Sequence, residues 1–243
     1  RGWQQHDPRT AGFLNTVAGR AIELGEGHRY VSYQGAMQIL PGVLAVGEWA
    51  QTSGREMLAA LILGYDVGAR LAAAMTTRPL AHQNGQAALL GAAAAGARMR
   101  ALSAADTSRA MRIATTLVLT PSYNNAINGA TTLNVAGGMS GFAAGLAPDL
   151  ALAGFTAQDD AIEEALGKLV GDGFKPDGLL AELGMRWEIT RDWFRLRACC
   201  NPIYAALDAL EAALLELKPR PDDIDRIDVA TFAFAAAMRN PDP

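Results

Sequence analysis

The sequence predicts a mainly α-helical protein, with a large all-helical domain followed by the start of a smaller α+β domain. Three observations carry this. Apolar residues recur at i, i+3 and i+4 along several long segments, the period of one helix face. Half of the 243 residues are apolar but only 7% are aromatic, so Ala, Leu, Val and Ile must fill the core, and small side chains favour closely packed helices. After Leu217 the pattern changes from a helical period to an alternating one.

In chain order, "SGREMLAALILGYDVGARLAAAM" places Met57, Leu61, Gly64, Tyr65, Gly68 and Leu71 on one helical stripe, with Ser53 and Gly54 as its N-terminal boundary. Asn84 to Arg100 is nearly all good helix former, and Asn84 is a natural N-cap. Ser103 with Asp106 resembles a capping box, and Thr156 with Asp159 repeats the device. "NPIYAALDALEAALLEL" carries Ile203, Ala206, Leu207, Leu210, Leu214 and Leu217 as a further stripe. "KPRPDD" reads as a proline-rich turn. "IDRIDVATF" then alternates, with Ile227, Val229 and Thr231 on one side, as the first strand of the α+β region. The domains are thus residues 1–218, helical, and 219–243, a linker and first strand. "RGWQQHDPRT" opens without an initiator Met and "RNPDP" ends in a turn-like segment, so a fragment is expected.

Composition narrows the function. Net charge is −4, and Lys and Arg are scattered, which argues against a nucleic-acid footprint. No run reads as a membrane span, Ala87–Ala97 being too short, and no secretory signal opens the chain. Cys199 and Cys200 are adjacent and offer neither a disulfide framework nor zinc spacing; reduced thiols and a cytoplasmic location are expected. His6, His28 and His82 lie far apart without partners at i+3 or i+4, so no metal site is expected.

Four polar clusters remain. "ELGEGHRYVSYQG" (23–35) gathers Glu23, Glu26, His28 and Arg29 on a glycine-rich segment between helices, either a functional loop or a solvated connector. "HQNG" (82–85) stands at a helix N-terminus, which suits a carboxylate ligand or needs only capping. "PSYNNAINGATTLN" (121–134) carries Asn124, Asn125, Asn128 and Asn134 before a helix starting near Thr131 or Thr132, as a binding loop or a mobile one. In "WFRLRACCNPIY", Arg195 and Arg197 alternate with Phe194 and Leu196, so both guanidinium groups share one side of an extended segment. They suit a carboxylate, or surface salt bridges.

Taken together, "TSGREMLAALILGYDVGARL", "HQNGQAALLGAAAAGARMRAL", "GFKPDGLLAELGMRWEI" and "FRLRACCNPIYAALDA" resemble, in order and spacing over nearly the whole chain, the MmgE/PrpD family. That family includes 2-methylcitrate dehydratase, cis-aconitate decarboxylase and iminodisuccinate epimerase. The resemblance implies a large helical domain, a smaller α+β domain, a homodimer, and cofactor-independent chemistry on carboxylates in a cleft between domains. This chain would be about half of a full-length member.

Residue by residue, the family's Asp-x-Asp-Asp-Thr falls on Glu23, Gly25, Glu26 and Gly27, with its first carboxylate lengthened to Glu23. Its next His-Pro falls near Tyr33 and Gln34. The His-Pro-Thr histidine is kept as His82, with Asn84 replacing threonine. A lysine and a histidine become Leu133 and Ala136, while Thr132 and Gly138 remain. A later lysine becomes Arg195, and the histidine after Cys-Cys becomes Tyr204. The expected catalytic residues are His82 for proton transfer, Glu23 and Tyr204. Arg195, Arg197, Asn84, His28 and Asn134 are the expected substrate contacts. The implied activity is a divergent lyase that removes a proton beside a carboxylate and then eliminates water or carbon dioxide. The alternatives are an isomerase or epimerase on the same fold, and a non-catalytic ligand-binding or dimerisation module.

Overall fold

The structure, a computed structural model, describes residues 6–238. Residues 1–5, and the turn-like "RNPDP" at 239–243, lie outside the described residues.

Asp7 caps α1 (Pro8–Arg20) by accepting from the backbone N–H groups of Arg9 and Thr10, and Pro8 occupies the first helical position. A short β1 (Glu26–His28) follows, then α2 (Ala36–Trp49) and α3 (Gly54–Ala74). Ser53 caps α3 by accepting from Glu56 N, as its sequence predicts. After β2 (Met75–Thr77) comes α4 (Ala87–Met99), then α5 (Ala104–Ala114), capped by Ser103. The 121–134 loop contains a single turn, α6 (Asn124–Ile127), before α7 (Leu133–Leu152). α8 (Ala161–Glu164) starts after Asp160, so Thr156 does not cap it. β3 (Gly171–Phe174), β4 (Asp192–Phe194), α9 (Tyr204–Leu217) and α10 (Ala233–Ala237) complete the order.

Helix α4 is the core element, buried from Ala87 to Ala97 and packed by α2, α3, α5 and α7. Its alanines and glycines set the spacing. A Cβ on Gly64 of α3 would meet Gly91 O of α4 at 2.6 Å, so these two helices touch backbone to backbone. Both α3 and α7 are long and apolar enough to cross a membrane by length and composition alone, which corrects the expectation that no run is. Here both pack against other helices, and α3 carries the buried Asp66–Arg70 pair at 2.7 Å.

That pair explains "GYDVGARL". Arg70 donates to the carbonyls of Leu179, Ala181 and Arg186, and Asp66 accepts from Glu188 N at 2.9 Å. The 179–188 segment is therefore fastened to α3.

Strands β1 and β4 pair antiparallel, Glu26 opposite Phe194 and His28 opposite Asp192; β2 pairs with β3. The expected strand at 224–232 does not form. Its backbone has no partner strand among the described residues, and a lone strand leaves its N–H and C=O groups unpaired. Ile227 and Val229 are exposed. The α9 stripe is also poorly covered, with Ile203, Leu214 and Leu217 exposed.

Candidate active site

A polar cavity of about 580 Å³ opens beside the start of α4. Glu23, His82, Asn134 and Arg195 all line it, so half of the eight expected residues converge. Arg20, Gln34, Tyr123 and Cys200 also stand on its polar wall, and Phe232 and Phe234 line it from the C-terminal segment.

The β1–β4 register assembles its charged wall. Arg195 follows β4 and donates its backbone N–H to Gly25 O at 3.0 Å. That places its guanidinium beside Glu23, 172 residues earlier in the chain. Nη1 of Arg195 donates to Glu23 O at 3.1 Å, to Cys199 O at 3.3 Å and to the Glu23 carboxylate. Arg20, at the last turn of α1, lies 3.6 Å from the same carboxylate and donates to Gln34 Oε1 at 3.2 Å. Both arginines are about 5% exposed (5% and 6%), so two desolvated cations face one carboxylate. Burial holds the Arg20 pKa below its ordinary value, partly offset by Glu23 and Glu26. Glu26 does not cancel the excess. It is buried behind the wall, its pKa pushed up by desolvation while it accepts from the N–H groups of Ala36 and Met37 at the start of α2.

His82 is held by a tight polar turn. Asn84 N donates to His82 Nδ1 at 3.2 Å, and Gly85 N donates to Gln38 Oε1 at 3.0 Å. Gly85 sits at φ +74°, and a Cβ there would meet Ala136 O at 2.7 Å. The imidazole packs on Tyr123 with ring centroids 5.0 Å apart. Desolvation, with Arg20 and Arg195 nearby, pushes the His82 pKa down to about 3. The ring is therefore neutral at pH 7. Because Nδ1 accepts, the proton resides on Nε2, so His82 presents a neutral N–H donor.

Tyr123 is the site residue that sequence reasoning missed most plainly. Its phenol stands beside the Cys200 thiol, and burial followed by that neighbour pushes its pKa up to about 12. The phenol stays protonated and can donate.

Four expected residues lie elsewhere. Asn84 is fully buried and caps nothing; the N-cap position of α4 is Gln86. Its amide is satisfied with the oxygen toward Arg20, accepting from Nη2 at 2.9 Å and Nε at 3.3 Å, so it orients Arg20 from beneath the cavity. His28 is buried in β1, with Nε2 at 3.0 Å from Glu188 and Nδ1 accepting from Tyr30 N. Burial pushes its pKa down, against the pull of Glu188. Arg197 does not share Arg195's side, because the β4 ladder ends at Phe194 and the chain turns. It reaches Asp208 at 2.8 Å, and Glu211, on α9. The Tyr204 hydroxyl accepts from Arg197 N at 3.1 Å and donates to Arg197 O, bracing that turn. Among the described residues, no three His, Cys, Asp or Glu side chains converge as a metal-ligand set.

The site is thus a cavity in a helical domain, lined by two buried arginines beside a neutral histidine. The chain belongs to the MmgE/PrpD family: residues 2–174 match the MmgE/PrpD N-terminal domain. It is also similar to the cis-aconitate decarboxylase-like protein oryM of Aspergillus oryzae (strain ATCC 42149 / RIB 40), with 26% identity over 232 residues, 86% of this chain and 47% of that protein. The chain thus spans about half the length of the curated relative it matches. The family and this relative point to dehydratase- or decarboxylase-type chemistry at the level of the family.

Proposed function

We propose that the chain forms the carboxylate-binding wall of a lyase site, which removes a proton beside a substrate carboxylate and eliminates a β-substituent. The observation that carries this is the pair of buried guanidinium groups, Arg20 and Arg195, sharing one cavity with the single carboxylate of Glu23. Desolvated arginines bind carboxylates strongly and often in bidentate fashion.

The geometry supports the following roles. A substrate carboxylate competes with Glu23 for Arg195 and Arg20, which frees the Glu23 oxygens to act as base. Glu23 takes the proton from the α-carbon. The C–H electron pair becomes the new C=C bond as the bond to the β-oxygen breaks. Negative charge developing on the carboxylate is met by the arginines and the Nε2–H of His82. Tyr123 donates its proton to the departing hydroxyl, which leaves as water. His82 is thereby a charge-stabilising donor rather than the base, because Nδ1 is occupied by Asn84 N–H.

The test measures binding and turnover separately on the full chain. Citrate-like, hydroxy- and unsaturated carboxylates are titrated calorimetrically against wild type, Arg20→Met and Arg195→Met. Products are followed by mass spectrometry in deuterated water. Binding lost in both variants, with water released by wild type, supports the reading. Deuterium at the α-carbon without a leaving group would make it an isomerase. Carboxylates bound equally by all three proteins would sink it.

A further inference from the structure

We infer that the substrate carries a single carboxylate and, on the carbon that loses the hydroxyl, an apolar arm the size of a phenyl ring, seated against Phe232 and Phe234; this rests on the carboxylate-binding reading above.

Four rings line the cavity as a continuous row. His82 packs on Tyr123 with centroids 5.0 Å apart, Tyr123 meets Phe234 edge to face at 5.4 Å, and Phe234 stacks on Phe232 at 6.3 Å. The row opens as it leaves His82. His82 is buried, whereas Phe234 is 48% exposed and Phe232 57%. Leu133, Ala130 and Pro202 add apolar surface to the same lining. Single exposed apolar residues are ordinary, but two stacked, accessible rings on the wall of a polar cavity form an apolar subsite of the kind that seats a ligand.

Charge limits the rest of the ligand. Among the described residues, the charged side chains of the lining are Arg20, Glu23 and Arg195, two cations and one anion. His82 is neutral, and burial raises the Cys200 pKa, so that thiol stays protonated. Other polar side chains of the wall, Gln83 and Asn134 among them, carry no charge. One carboxylate balances this wall; a second would lose hydration without a cation to meet it. Volume agrees, because about 580 Å³ lies in the range that takes ligands of drug size and leaves room beyond a small hydroxy acid. Position selects the carbon. Tyr123, the donor to the departing hydroxyl in the mechanism above, touches Phe234, so an arm on the hydroxyl-bearing carbon runs along the row. The reaction then converts a 3-hydroxy acid with an apolar 3-substituent into the 2-enoate and water.

The experiment titrates three acids into the full chain: 3-hydroxy-3-phenylpropanoate, 3-hydroxybutanoate and 3-hydroxyglutarate. The phenyl acid binds about tenfold tighter or more than either of the others, the value of burying part of one ring. The double variant Phe232→Ser, Phe234→Ser brings the ratio of phenyl acid to 3-hydroxybutanoate to about one. If that variant does not fold, Phe234→Ser alone, which removes the ring touching Tyr123, lowers the ratio about threefold or more. Equal affinity for the phenyl acid and 3-hydroxybutanoate in wild type, or a ratio that survives both variants, overturns the apolar subsite and leaves the carboxylate reading standing. Tightest binding of 3-hydroxyglutarate overturns the single carboxylate. No binding of any of the three overturns both readings.

Discussion

The backbone N–H of Asn84 donates to Nδ1 of His82 at 3.2 Å, and this bond decides which proton the imidazole carries. With Nδ1 accepting, the neutral ring holds its proton on Nε2. A base role through Nε2 would require the other tautomer, whose Nδ1–H would point at the Asn84 N–H. The residue that best matches the family's histidine therefore has the geometry of a donor.

A pH dependence follows. The His82 pKa falls from an ordinary 6.5 to about 3 in the fold. Between those values the unfolded chain binds the proton and the folded chain does not. The contribution to stability is complete above about pH 6.5 and is lost as pH falls toward 3. Asp192 has the opposite sign, because desolvation raises its pKa to about 6, so only a difference between proteins isolates His82. Urea denaturation of wild type and His82→Gln at pH 7.5 and 4.5 provides it. Wild type should lose roughly 2–3 kcal/mol more than the variant on acidification. Equal losses would mean that His82 is not held neutral.

Gly85→Ala should destabilise the protein by about 2–4 kcal/mol. The left-handed φ of +74° costs about 1 kcal/mol or more for a residue with a Cβ, and the Cβ meets Ala136 O at 2.7 Å. Because the same turn carries His82, carboxylate affinity should fall as well. Thermal denaturation and titration calorimetry check the two effects; an unchanged melting temperature would contradict the turn geometry.

What the sequence made legible had a local signal. Ser53 and Ser103 cap their helices as their spacing predicts, and the α3 stripe packs where its period says. "HQNG" and the asparagine loop both reach the cavity, through His82 and Asn134. What it hid depends on long-range pairing. The three-residue strands β1 and β4 are too short to show a period, yet their register puts Arg195 on Glu23. The same ladder ends at Phe194, so the alternation of Arg195 and Arg197 misleads about Arg197. Arg20 is one charge at the end of an ordinary helix, and only the fold shows it buried beside Gln34 and Asn84. Tyr123 and Tyr204 look alike in sequence; one lines the cavity and the other braces a turn.

That contrast is itself testable. Tyr123→Phe keeps the ring against His82 and removes only the hydroxyl beside Cys200. If the phenol supplies the proton, turnover should fall about a hundredfold or more with carboxylate affinity nearly unchanged. Tyr204→Phe removes the bonds to Arg197 N and O, costing about 1 kcal/mol of stability, and should leave turnover within about twofold. The reverse pattern, with Tyr204→Phe inactive and Tyr123→Phe active, would move the acid away from the cavity wall described above.

Gln38 fastens the His82 turn to two helices. It is fully buried in α2. Its Oε1 accepts from Gly85 N at 3.0 Å and from Ser140 Oγ at 3.1 Å on α7, and its Nε2 donates to Gln34 O at 2.7 Å. One amide thus ties the His82 turn, α7 and the segment holding Gln34 to α2. Gln38→Leu strands the Gly85 N–H and the Ser140 hydroxyl, at about 1–3 kcal/mol for each group. Gln38→Glu keeps the size and the acceptor toward Gly85 but turns an acceptor toward Gln34 O, and it buries a charge. Protonation restores the donor, so the folded state raises this carboxyl's pKa. Stability of Gln38→Glu relative to wild type should therefore be best at low pH and decline as pH rises past about 4.3, the unfolded carboxyl value. Denaturation of the three proteins at pH 4 and pH 7 measures this. A Gln38→Glu protein as stable as wild type at pH 7 would show that the amide's donor edge is not needed to hold the turn.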